Sequence, residues 1–384
     1  MKKIVPFSFY FLYYAAASFS LPFIILYFQE LGFKGAQIGI LAGMAPLVIL
    51  VGAPLWTGLA DATGRHKLIM SLTLLGAILL GFIFPLFKTL TPVILLVFLY
   101  SLFTSPLISF ADSATMAMLA GEKAMYGRIR LGGTIGWGVV APLAGIIIQS
   151  FGIRWIFWGY ALIMFLVFIV SQKFTFGKRV ENVSLRGDIR QLLTNRQWVF
   201  FLCLAFVCGA AFTTINSFLF PYMQELGASR STMGVALTIS TIGELPILFY
   251  ANRLLKRFGA YGLFRLGMTM TGIRLLLLAW LNFPSGILFF QLLNGMNYPL
   301  VWVAGVSYAD ENAPEGMKAT AQGLMGAMVF GFGAAAGGLI GGVMLGSIGG
   351  RWMYLIFGGC VLVSVGVITL LEKADHARQA RSLT

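Results

Sequence analysis

Asp112 closes one apolar run, and Arg130 opens another that is rich in glycine; Trp137 follows seven residues later. A carboxylate offers acceptors, a guanidinium offers a planar fork of donors, and an indole offers an apolar platform with one donor. Together they suit a small polyhydroxylated or zwitterionic molecule. A second set lies further along. Glu244 sits in Ile242-Gly243-Glu244-Leu245-Pro246, and Arg274 near the centre of the next apolar run. Charges placed so deeply cost roughly 2.5–3.5 kcal/mol each on insertion scales, so they mark function by default. The two runs are antiparallel and the residues lie at comparable depth, which makes an ion pair feasible. Burial would raise the Glu244 pKa and a nearby Arg274 would lower it, so Glu244 is a candidate proton carrier. Asn216, Asn294 and Asn297 add neutral hydrogen-bonding groups. Hydropathy alone is equally consistent with Asp112 and Arg130 as solvated charges at a membrane surface.

The elements that must hold these residues are membrane helices. The chain is 59% hydrophobic, 10% charged, and has a mean hydropathy of +0.88. Such a composition points to a polytopic membrane protein. A spanning helix needs roughly 20 mostly apolar residues. On that rule the spans are 6–28, 36–59, 67–87, 92–119, 129–149 and 155–172, then 198–224, 232–251, 262–282, 285–309, 320–346 and 352–371. The first is a retained helix, since no small-residue cleavage site follows it. The net charge of +14 is spread over short gaps between apolar runs, which speaks for membrane topology and against nucleic acid. With the N-terminus in the cytoplasm, only Lys34, Lys88, Arg154, Arg230 and Arg351 fall outside. Both termini are therefore expected in the cytoplasm. Cys203, Cys208 and Cys360 lie in apolar runs as small packing residues, and His66 and His376 are the only histidines. No metal or cofactor is expected. Without a phosphate-binding Gly-Lys-Ser/Thr loop, ATP-driven pumping is not expected either.

The chain divides into residues 1–172, a basic cytoplasmic linker over 173–197, and residues 198–384. Its halves repeat. Tyr27-Phe28-Gln29-Glu30-Leu31-Gly32 returns as Tyr222-Met223-Gln224-Glu225-Leu226-Gly227, an offset of about 195, and Gly64 falls on Gly259. Parallel repeats predict a pseudo-two-fold axis along the membrane normal, with a solute site at mid-depth between the halves.

Gly58-Leu59-Ala60-Asp61-Ala62-Thr63-Gly64-Arg65-His66-Lys67 resembles the signature loop of the major facilitator superfamily, G-x-x-x-D-x-x-G-R-[KR], with the first glycine one place late and a histidine at a basic position. Asp61, Gly64 and Arg65 are the expected gating residues, with Arg65 pairing across to a neighbouring helix. The stretch from Tyr126 to Trp137 is similar to the fifth-helix motif of the oligosaccharide/proton symporters, and Pro106–Asp112 to the phenylpropionate permease and nucleoside symporter branch. The resemblance implies an all-α major facilitator fold of 12 transmembrane helices in two six-helix pseudo-symmetric halves. It implies that Asp112 and Arg130 pair and bind solute, that Trp137 stacks on it, and that Glu244 binds it on the eighth helix with Arg274 beside it. Asn294 and Asn297 stand where the symporters place a histidine and their proton-carrying glutamate, so a proton is carried by Glu244, by Asp112, or not at all.

The expectation is a transporter and not an enzyme. It would carry a small polar organic solute (sugar, nucleoside or aromatic acid) by alternating access, as a monomer in the cytoplasmic (inner) membrane, with the proton gradient as driving force. Its partners would be the solute and membrane lipids. The alternatives are a uniporter, a lipid or drug transporter of the same fold, and a non-transporting membrane sensor.

Overall fold

A computed structural model describes residues 3–119, 122, 125–177, 189–314 and 317–382. Lys178, Arg179 and Arg186 of the linker lie outside the described residues. Among the described residues the regular structure is helical throughout. The first half holds α1 (Ile4–Ser20), α2 (Ile24–Glu30), α3 (Gly35–Thr63), α4 (His66–Ile83), α5 (Leu90–Thr104), α6 (Leu107–Leu119), α7 (Tyr126–Phe151) and α8 (Trp155–Ser171). The second holds α9 (Ile189–Thr194), α10 (Arg196–Glu225), α11 (Arg230–Phe258), α12 (Ala260–Trp280), α13 (Pro284–Glu311), α14 (Lys318–Gly326), a π-helical turn (Ala327–Gly333) and α15 (Ala334–Ser382).

Ten helical stretches of the described residues are long and apolar enough to cross a membrane. The last of these, Thr320–Ala374, is two crossings, because Gly349 breaks it at φ 81°. That left-handed backbone is open to glycine at little cost. The 17-residue α8 completes the twelve. Two of the expected spans are interrupted. The first breaks between α1 and α2, and the fourth breaks before Leu107, at Pro106, whose ring cannot continue a helix.

The halves meet along two seams. In one, α3 lies on α15 through small residues: a Cβ on Gly39 would stand 2.5 Å from the Leu339 carbonyl, and one on Gly35 2.5 Å from that of Gly342. In the other, α7 lies on α11: a Cβ on Gly145 would stand 2.5 Å from the Arg230 carbonyl, and one on Gly234 2.5 Å from that of Ala141. Between helices in lipid no hydrophobic drive operates, and small residues permit the close approach that replaces it.

One end of the molecule is sealed. Arg230 pairs with Glu30 and donates to the Ile148 carbonyl at 3.4 Å, while Gln149 Oε1 accepts from the Ser231 backbone N–H at 3.1 Å and from its hydroxyl at 3.0 Å. Phe23 packs on Phe220, centroid to centroid 4.8 Å. Toward the other end the described ion pairs stay within a half: Lys3 with Glu122, Lys318 with Asp310 at 2.7 Å, and Arg265 with Glu372 at 3.3 Å.

The signature loop is at this second end. Gly64 caps α3 at φ 67°. Asp61 pairs with His66, Nε2 to Oδ1 2.8 Å, and Arg65 makes no ion pair with any described residue. The expected cross-helix tie is made instead by Lys67, which donates to the Gln172 carbonyl at 2.6 Å. His66 lies five residues beyond Asp61, directly across the glycine turn, so its ring reaches the carboxylate first.

Candidate functional site

On α7, Leu131, Ile135, Val139, Leu143 and Ile146 form an exposed apolar stripe, the face turned to lipid. Gly132 faces α1, where a Cβ would meet the Phe7 carbonyl at 2.8 Å, and Gly138 faces α11, where it would meet Thr241 at 2.9 Å. Tyr126, Arg130 and Trp137 follow at spacings of four and seven, which stack residues on one helix face. With three faces taken, theirs is the fourth, toward the gap between the halves.

There Arg130 Nη1 donates to Asp112 Oδ2 at 3.1 Å and Oδ1 at 3.3 Å, and to the Tyr126 hydroxyl at 2.6 Å. The Tyr10 hydroxyl donates to the same carboxylate. The pair stays reachable, with the arginine side chain 42% exposed and the aspartate 32%. Among the described residues Arg130 Nε and Nη2 donate to nothing, so half the fork remains for a ligand. Tyr10 and Tyr126 were not among the expected site residues; tyrosines in apolar runs read as packing until their hydroxyls are placed.

On α11 the exposed stripe is Val235, Ile242 and Phe249, again the lipid face. Gly234 and Thr238 face α7, where the Thr238 hydroxyl donates to the Gly138 carbonyl at 2.6 Å. Ser240 and Gly243 face α13. Glu244 lies opposite the lipid stripe, about 200° from Ile242 at 100° per residue, and so fronts the gap. It is half-buried and forms no ion pair or hydrogen bond with a described residue.

The expected pairing of Glu244 with Arg274 is absent. Arg274 is 1% exposed and points into its own half. Its Nη1 donates to Asn294 Oδ1 at 2.6 Å and its Nη2 to Gln291 Oε1 at 3.1 Å. Asn294 Nδ2 in turn donates to the Ser240 hydroxyl at 2.9 Å, one turn before Glu244. Asn294 thus stands between cation and acid, with α11 and α13 drawn together at Gly243 and Gly295. Asn297 is also not on the open face. It is 1% exposed, and neither amide atom has a partner. Asn216 is exposed on α10. Tyr298, 37% exposed, packs on Phe212 with ring centroids 5.5 Å apart. Among the described residues no group of three or more His, Cys, Asp or Glu could hold a metal ion.

A family model described as the MFS_1 like family matches residues 7–356. The chain belongs to that family. Within it, the maltose permease of Geobacillus stearothermophilus is 27% identical over 98% of this chain and 95% of its own length. YegT of Escherichia coli (strain K12), whose name assigns it to nucleoside transport, is 25% identical over 83% of this chain and 79% of its own. The crystal structure of the nucleoside transporter NupG superposes with a TM-score of 0.87, covering 97% of this chain and 99% of that one at 17% identity, a likeness of fold. The chain is a multi-pass major facilitator transporter and not an enzyme.

Proposed function

We propose that this major facilitator transporter carries a small polar organic solute (a sugar, nucleoside or aromatic acid) by alternating access, in symport with protons, in the cytoplasmic membrane. The sealed end faces outward, and both termini and the open end lie in the cytoplasm. That orientation keeps most Lys and Arg inside. Parallel six-helix repeats place a solute at mid-depth between them.

Asp112 and the free half of the Arg130 fork hold solute hydroxyls or a carboxylate, Trp137 lies along its apolar face, and Asn294 and Asn216 supply neutral donors and acceptors. Arg274 acts through Asn294 as a positioning residue. The observation that carries proton coupling is Glu244: an acid in a membrane-spanning helix, facing the gap, with no ion-pair partner among the described residues. Such a group is most cheaply carried across the bilayer when neutral, that is, protonated. Solute and proton therefore travel together. No cofactor is required; the proton gradient drives accumulation, and the monomer contains both walls.

Solute-driven alkalinisation outside proteoliposomes tests the reading. Solutes are first found by thermal-shift screening of sugars, nucleosides and aryl acids. Uptake that proceeds without proton movement at every solute concentration would leave a uniporter. That second reading is favoured by one observation, the two asparagines of α13 where related symporters carry titratable groups.

A further inference from the structure

The lipid-facing meridian of α11 does not end in apolar residues. Val235, Ile242 and Phe249 continue to Arg253, Lys256 and Arg257 at steps of three, four and seven. All three cations are exposed, and they stand on the stripe turned away from the solute gap. Aromatic rings border them: the Arg253 guanidinium lies 5.4 Å from the Tyr250 ring centroid, and that of Arg257 5.4 Å from Phe258. Phe249 itself is 79% exposed.

Among the described residues none of the three pairs with a carboxylate, and together they set three unneutralised charges within five residues of one helix. The repeat sets this end of α11 apart from its counterpart, because Lys256 falls where the first half has Asp61, which pairs with His66. Cations at a helix C-terminus complement its dipole, but the dipole does not select one meridian.

We propose that Arg253, Lys256 and Arg257 form a binding site for the phosphodiester headgroup of an anionic glycerophospholipid. The acyl chains lie along the Val235–Ile242–Phe249 stripe, and Tyr250 and Phe258 sit at headgroup level. The two guanidiniums meet phosphate oxygens as forks and the ammonium meets them as a point charge. Interfacial aromatics flanking basic residues are the usual furniture of that depth.

The test is native mass spectrometry of the full chain released from micelles containing phosphatidylglycerol and phosphatidylcholine in equal amount. Wild type is expected to retain phosphatidylglycerol selectively. Arg253→Gln/Lys256→Gln/Arg257→Gln is expected to lose the selectivity by at least tenfold, since each cation near an anionic headgroup is worth roughly fivefold. Its melting temperature in phosphatidylcholine alone should match wild type, and Lys34→Gln at the sealed end should retain the lipid. Should the triple variant not fold, Arg253→Gln alone must still lose roughly fivefold. Equal retention by the variants, or equal retention of the two lipids by wild type, overturns the site. If glycerol 1-phosphate in solution stabilises wild type as much as phosphatidylglycerol does, the ligand is a soluble phosphate and the lipid assignment falls.

Discussion

Each half contributes one acid and one arginine at depth, and the two halves use them in opposite ways. In the first half Asp112 and Arg130 touch each other, stay half-exposed, and are held by the hydroxyls of Tyr10 and Tyr126. In the second half Glu244 stands alone at the gap, while Arg274 is sealed inside the helices on the amide oxygens of Asn294 and Gln291. What decides between the two outcomes is which side chain fills the space between the charges. Nothing separates Asp112 from Arg130. Asn294 occupies the place where Glu244 and Arg274 would have met. A carboxylate already joined to a guanidinium and a tyrosine hydroxyl is a preassembled polar surface, whereas Glu244 meets the gap without a partner among the described residues. On the proposed reading the first half grips the solute and the second exchanges the proton.

The contrast can be broken at several points. The largest effect is expected at Arg130. Arg130→Gln should cut uptake kcat/KM of a solute found by screening by at least a hundredfold. Arg130→Lys should cut it by at least tenfold, because an ammonium keeps the charge and loses the fork; near-normal uptake by the lysine variant would remove the fork from recognition. Next, Arg274→Met strands the two amide oxygens, at about 1–3 kcal/mol for each buried group left unpaired, and should lower the melting temperature by several degrees. Glu244→Gln has no partner to lose and should shift stability by no more than about 0.5 kcal/mol. It should nevertheless abolish accumulation against a gradient while exchange continues, and full accumulation would take the proton from Glu244. Gly39→Val inserts a side chain against the Leu339 carbonyl and should destabilise the sealed end by about 1–3 kcal/mol. Faster labelling of a cysteine introduced at Ala228 would report it. The smallest effect is expected at the signature loop: Asp61→Asn removes an exposed pair with His66, worth at most about 1 kcal/mol, and should change the melting temperature little.

Much of this was legible from residue types alone. Span lengths, the six-residue repeat around Glu30 and Glu225, and the loop at Asp61 led to the fold, because membrane helices are fixed chiefly by the length of their apolar runs. The Asp112–Arg130 pair was legible too, because the motif places both near the ends of adjacent spans. Arg274 was read beside Glu244, and its partners are instead Asn294 and Gln291. Hydropathy gives position along the membrane normal and says nothing of azimuth, and Arg274 turns into its own half. Asn297 was misread for the same reason. The roles of Tyr10 and Tyr126 depend on hydroxyl placement, which no periodicity encodes.

The seam of α3 against α15 has a further consequence. Gly35 and Gly39 on one strand of the zipper, and Gly338, Gly342 and Gly346 on the other, each recur every four residues, close to one helical turn or about 6 Å of travel. A zipper with that period has more than one register. Sliding by a turn brings Gly39, now beside Gly342, opposite Gly346, and smooth backbone meets smooth backbone again. The period makes a one-turn step the smallest displacement that restores close backbone contact, and a cross-link between positions 39 and 346 is the measurement that detects it.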